Sequence, residues 1–91
     1  MSSYQKKITI TNKLGLHARA ATKLAQVCQK FDADVTVKLE DKEADASSII
    51  GLMLLAGSQG KEVTVETSGN DAKQALAEVC QLFSDNFDEE S

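Results

Sequence analysis

Apolar and polar positions alternate in four short runs, and stretches of helical spacing lie between them. Over residues 4–11, Ile8 and Ile10 point one way and Thr9 and Thr11 the other, which predicts a first strand. Ala21, Leu24, Ala25 and Cys28 then recur at helical spacing and predict a helix over roughly 18–30. Val35, Val37 and Leu39 alternate with Thr36 and Lys38 in a second strand. Glu40-Asp41 turns the chain into a short third strand, 42–46, with Ala44 and Ala46 inward. Ser47-Ser48 offers a cap for a short helix at about 49–55. Residues 57–60 read as a loop, and Val63, Val65 and Thr67 alternate in a fourth strand. Asn70 is expected to cap a last helix, whose Ala72, Ala75, Leu76, Val79, Cys80 and Phe83 form one apolar stripe. The acidic segment 85–91 is expected to fray.

The order is therefore β-α-β-β-α-β-α. Each strand has a single apolar face, so one side of the sheet is covered, as in an antiparallel α+β open-faced sandwich. The 91 residues make one domain, 1–91, with a core over about 4–84 and an acidic tail. The longest apolar run, 49–56, is too short to span a bilayer, and no signal-peptide pattern is present, so no membrane role is expected and the cytoplasm is the expected location. Cys28 and Cys80 lack metal-ligand or redox-pair spacing and read as reduced core residues; no metal or cofactor is expected.

Charge sharpens the picture. The net charge is −4, yet residues 1–31 hold Lys6, Lys7, Lys13, Arg19, Lys23 and Lys30 and no acid. All fourteen acids follow. Overall acidity and the lack of Arg–aromatic interleaving argue against nucleic acid as the partner of this basic region. A phosphorylated group or an acidic protein surface suits it better.

The only histidine lies inside that region. His17 falls near the N-cap of the first helix, where Ser, Thr, Asp or Asn is usual. Arg19 falls in the first turn, where a cation costs about 0.3–1 kcal/mol against the helix dipole. Two local choices against helix stability at one point mark a functional site. Helix-start amides plus an arginine bind an oxyanion. The dipole and Arg19 disfavour an imidazolium, which leaves a neutral ring with a lone pair to carry a phosphoryl group. The plainer reading is a surface turn residue. In the short helix, Leu52 and Leu55 are expected to face the core with Ile49, leaving Ile50 and Met53 outward. Ile49, Ile50 and Met53, with Lys23, are the expected partner-docking residues. Ser48 is a plain cap or a regulatory phosphorylation site. Residues 57–61, Gly-Ser-Gln-Gly-Lys, lack phosphate-loop spacing and lead into a strand, which excludes nucleotide binding there.

Gly15-Leu16-His17-Ala18-Arg19, the element order, and Ser48-Ile49-Ile50-Gly51 together resemble the HPr family of histidine phosphocarriers over about residues 4–84. Residues 10–15, Ile-Thr-Asn-Lys-Leu-Gly, and the ending from Phe83 through Phe87-Asp88-Glu89-Glu90 are most similar to its nitrogen-related NPr branch. The resemblance implies a four-stranded antiparallel sheet with three helices on one face. It implies a phosphate accepted on Nδ1 of His17 from enzyme I, itself phosphorylated by phosphoenolpyruvate, and passed to a IIA-type protein. Arg19 and the backbone amides of Ala18 and Arg19 would hold that phosphate, and Ser48 aligns with the family's regulatory serine. A carrier of this kind is a monomer with no turnover of its own. Its rivals are a sugar-branch HPr with the same chemistry and a non-catalytic regulatory docking module. Ala20 departs from the family, which usually has Pro after the motif arginine. Pro there preorganises the turn by about 0.4–1 kcal/mol. Ala restores a first-turn N–H, so a slightly softer but working site is expected.

Overall fold

The computed structural model describes residues 3–88. Four strands, β1 (Ser3–Thr9), β2 (Asp34–Leu39), β3 (Lys42–Asp45) and β4 (Glu62–Ser68), form one antiparallel sheet in the order β1-β4-β2-β3. Helices α1 (Ala18–Cys28), α2 (Ile49–Leu54) and α3 (Ala72–Ser84) cover one face. Strand alternation sets which residues meet them. Val35, Val37 and Leu39 of β2 and Val63 and Val65 of β4 are buried, and the intervening positions are not. They pack beneath Leu24 and Ala21 of α1, Leu52 of α2 and Ala75, Val79 and Phe83 of α3. Ala44 and Ala46 point inward from β3 and the residue after it.

Cys28 and Cys80 are free thiols. Burial, with the Asp45 carboxylate adding to it, pushes the Cys28 thiol up to about 11, so it stays protonated and unreactive at neutral pH.

Three local expectations are corrected. The helix cap is not Asn70. Asp71 holds the N-cap position of α3 and makes no side-chain cap bond. Both side chains instead tie α3 to the segment after α1: Asp71 Oδ2 accepts from the Asp32 N–H at 2.8 Å, and Asn70 Nδ2 donates to Asp32 Oδ2 at 2.8 Å. Ile49 does not join Leu52 and Leu55 in the core; it is 37% exposed. At about 100° per residue, a helix that turns 52 and 55 inward leaves 49 on the flank, about 120° from 55.

The third correction concerns the tail. Residues Asn86–Asp88 form a single 3₁₀ turn with left-handed backbone at all three positions. Such a run costs roughly 1–2 kcal/mol per residue and needs compensation. Phe87 supplies it: the ring is 2% exposed and meets Phe83 edge-on, with centroids 4.8 Å apart. The Thr11 hydroxyl donates to Asn86 Oδ1, and Lys23 Nζ meets Asp88 Oδ2 at 3.1 Å. The expected fraying therefore does not hold for residues 85–88, and the rest of that segment, 89–91, lies outside the described residues. The same contact changes the charge map. Lys23 pairs with Asp88, and Lys30 with Glu78 at 3.8 Å, so the fold returns acids to a stretch, residues 1–31, whose own sequence has none.

Candidate functional site

The site is built on a turn that only glycine can make. Gly15 has φ +64, and a Cβ there would lie 2.2 Å from the carbonyl oxygen of Gly57. Leu16 then donates its N–H to that same oxygen at 2.8 Å and buries its side chain. Asn12 Nδ2 closes the turn on Gly15 O at 2.8 Å. The segment before α1 is thereby clamped against the loop after α2, and the next residue is His17.

His17 is the N-cap residue of α1, half-buried, with extended backbone. Its ring does the capping. Nδ1 accepts from the Ala20 N–H at 3.1 Å. A ring that accepts at Nδ1 is the neutral tautomer with its proton on Nε2, so the lone pair lies on Nδ1. The first backbone bond of the helix runs from the Ala21 N–H to His17 O at 2.9 Å. The amides of Ala18 and Arg19 precede that ladder and lie at the positive end of the helix. Arg19 is exposed and takes part in none of the ion pairs among the described residues. The arrangement places one ring nitrogen at the helix-start amides, with an exposed cation in the same turn, which suits transient possession of a phosphoryl group.

α2 and the turn before α1 carry exposed apolar side chains. Ile50 is 72% exposed, Met53 45%, Leu54 70% and Leu14 64%. Leu54 and Leu14 were not singled out from the sequence. An apolar helix position reads as core until its neighbours are known. Lys23, also expected to dock partners, is engaged by Asp88, with its side chain 28% exposed. Ser48 is exposed and caps α2, its Oγ accepting from the Gly51 N–H at 3.0 Å. Among the described residues, no cluster of His, Cys, Asp or Glu is placed to hold a metal, and no helix is long and apolar enough to cross a membrane.

Residues 4–85 match the family model described as the PTS HPr component phosphorylation site. The chain belongs to the HPr family. Its members are the phosphocarriers of the phosphotransferase system, and membership implies that system's partners, enzyme I and IIA-type proteins. Among the relatives, the chain is 46% identical to phosphocarrier protein NPr of Shewanella violacea over 91 residues, covering 100% of both chains. It is 44% identical to phosphocarrier protein HPr of Xylella fastidiosa, covering 93% of this chain and 96% of that one. The fold superposes on the crystal structure of HPr-C-His from Thermoanaerobacter tengcongensis with a TM-score of 0.91 and 36% identity, covering 97% of this chain and 99% of that one. The HPr fold expected from the sequence, a four-stranded antiparallel sheet with three helices, is the one observed.

Proposed function

We propose that this chain is a nitrogen-branch phosphocarrier of the cytoplasm that accepts phosphate on His17 from enzyme I, passes it to a IIA-type protein, and works as a monomer. The observation that carries the chemistry is the His17 ring itself: its Nδ1 accepts the Ala20 N–H at the start of α1, in the same turn as Arg19. As the N–P bond forms at Nδ1, the donor's bond to phosphorus breaks and its electron pair leaves with the donor; the ring proton stays on Nε2. Arg19 and the amides of Ala18 and Arg19 face the new charge. Ile49, Ile50 and Met53, with Lys23, seat the partners. Ser48 is a candidate for regulatory phosphorylation, although its hydroxyl already serves as the α2 cap.

The nitrogen branch is supported by the 46% identity to an NPr over the full chain, against 44% to an HPr over 85 residues. The two similarities are close, so the deciding experiment is enzymatic. Incubation with phosphoenolpyruvate and either the nitrogen-branch or the sugar-branch enzyme I should label the protein faster with the former. Equal or reversed rates remove the branch assignment and leave the carrier in place.

Arg19 gives a second test. Arg19→Glu should slow phosphoryl acceptance at least tenfold, about 1.4 kcal/mol of transition-state stabilisation. Because an acid suits a helix start, the melting temperature should hold or rise slightly. A clear loss of stability with normal transfer would make Arg19 structural instead.

A further inference from the structure

Ala20 is the residue whose backbone reaches the reacting nitrogen. Its N–H lies 3.1 Å from His17 Nδ1, and the residue is 0% exposed, so no solvent stands ready to replace that bond. Two consequences follow from elementary hydrogen bonding. The N–H rewards only the tautomer that keeps its lone pair at Nδ1, which holds the ring proton on Nε2 and leaves Nδ1 as the nitrogen able to attack. A phosphorus atom bonded to Nδ1 then needs the space along the same line, so the ring must turn and the bond must open. A shielded N–H left without an acceptor is costly. A phosphoryl oxygen on Nδ1 is the acceptor nearest to hand, and a bond to an anionic oxygen is about twice as strong as one to a neutral acceptor.

We propose that the Ala20 N–H is a positioning donor for the acceptor nitrogen: it selects the Nε2-protonated tautomer of free His17 and then moves to a phosphoryl oxygen once Nδ1 is occupied. This rests on the reading of His17 as the phosphate carrier. A proline at this position has no N–H and cannot play either part. The chain's departure from the usual family residue thus adds a ligand to the site as well as softening the turn.

The test uses the full chain labelled with ¹⁵N, phosphorylated by enzyme I and phosphoenolpyruvate. In the free protein, His17 should show its proton on Nε2. On phosphorylation the Ala20 amide signal should move strongly downfield, with phosphorus on Nδ1. In Ala20→Pro, the phosphoryl equilibrium with the donor should shift about threefold to tenfold away from this protein, the difference between losing a charge-assisted and a neutral bond. Proline is tolerated in a first helical turn, so the variant should fold. Ala20→Gly keeps the N–H and should equilibrate within about twofold of the parent. An unmoved Ala20 amide, phosphate on Nε2, or an Ala20→Pro equilibrium equal to the parent's overturns the proposal while the carrier stands. If Ala20→Pro does not fold, the amide shift in the parent protein decides. Absence of any phosphate on His17 in the parent overturns the carrier reading and this proposal together.

Discussion

His17→Ala should abolish phosphoryl acceptance completely. The chain has no other histidine, and alanine has neither a lone pair nor a site for an N–P bond. The label on the parent protein should be lost in acid and kept in base, as a phosphoramidate is. Phosphate on a hydroxyl such as that of Ser48 would survive the acid, so lability identifies a nitrogen–phosphorus bond and the variant identifies the residue. The substitution has a structural cost that must be separated from the chemical one. His17 caps α1 through Nδ1, and losing a cap acceptor costs about 0.5–2 kcal/mol. His17→Asn resolves the two effects. Its side-chain oxygen can cap the helix, yet its amide cannot carry phosphate. The asparagine variant should therefore melt close to the parent, the alanine variant a few degrees lower, and neither should take up label. Acid-labile label on either variant would end the assignment of His17 as the acceptor.

Much of this arrangement was legible in the residues, and the parts that were not share a cause. Period-two alternation in β2 and β4 is a local signal, and each alternating position went to the face it indicated. The conflict at 17–19 between helix rules and residue choice is also local, and it marks the turn where His17 takes the N-cap position of α1. What escaped depends on partners far away in the chain. Phe87 sits among acids and reads as tail, but a left-handed turn after α3 brings its ring back against Phe83, where it anchors that strained turn. Asp88 and Lys23 are 65 positions apart, so a basic stretch in sequence became a partly neutralised one in space. Asn70 has the chemistry of a cap, and the contest with Asp71 was settled by Asp32 across the fold. The His17–Ala20 bond spans three residues, but it depends on the orientation of one ring, which no spacing rule specifies.

Charge placed on α2 should separate docking from folding, with large effects of opposite kind. Ile50→Asp and Leu54→Asp alter side chains that are 72% and 70% exposed, so each should cost under about 1 kcal/mol of stability. Leu52→Asp alters one that is 0% exposed and sits under the sheet-covering helices. A buried, unpaired carboxylate costs several kcal/mol, enough to unfold a small domain of ordinary stability. Thermal melts should thus divide the three variants cleanly. Transfer should divide them differently. α2 runs into the loop whose Gly57 oxygen holds Leu16, the residue before His17, so the helix is tied through the backbone to the turn that carries the proposed acceptor. Large apolar side chains left facing solvent on one short helix are best explained by a partner that covers them during transfer. Apolar anchors near the centre of such an interface are worth about 2 kcal/mol or more each, close to a thirtyfold change in affinity. Folded Ile50→Asp and Leu54→Asp proteins should accordingly need about thirtyfold more enzyme I for the same rate, while transfer at saturating enzyme I stays near the parent's. Unchanged affinity in both would remove α2 from the docking surface, and unfolding of either would place that residue in the core.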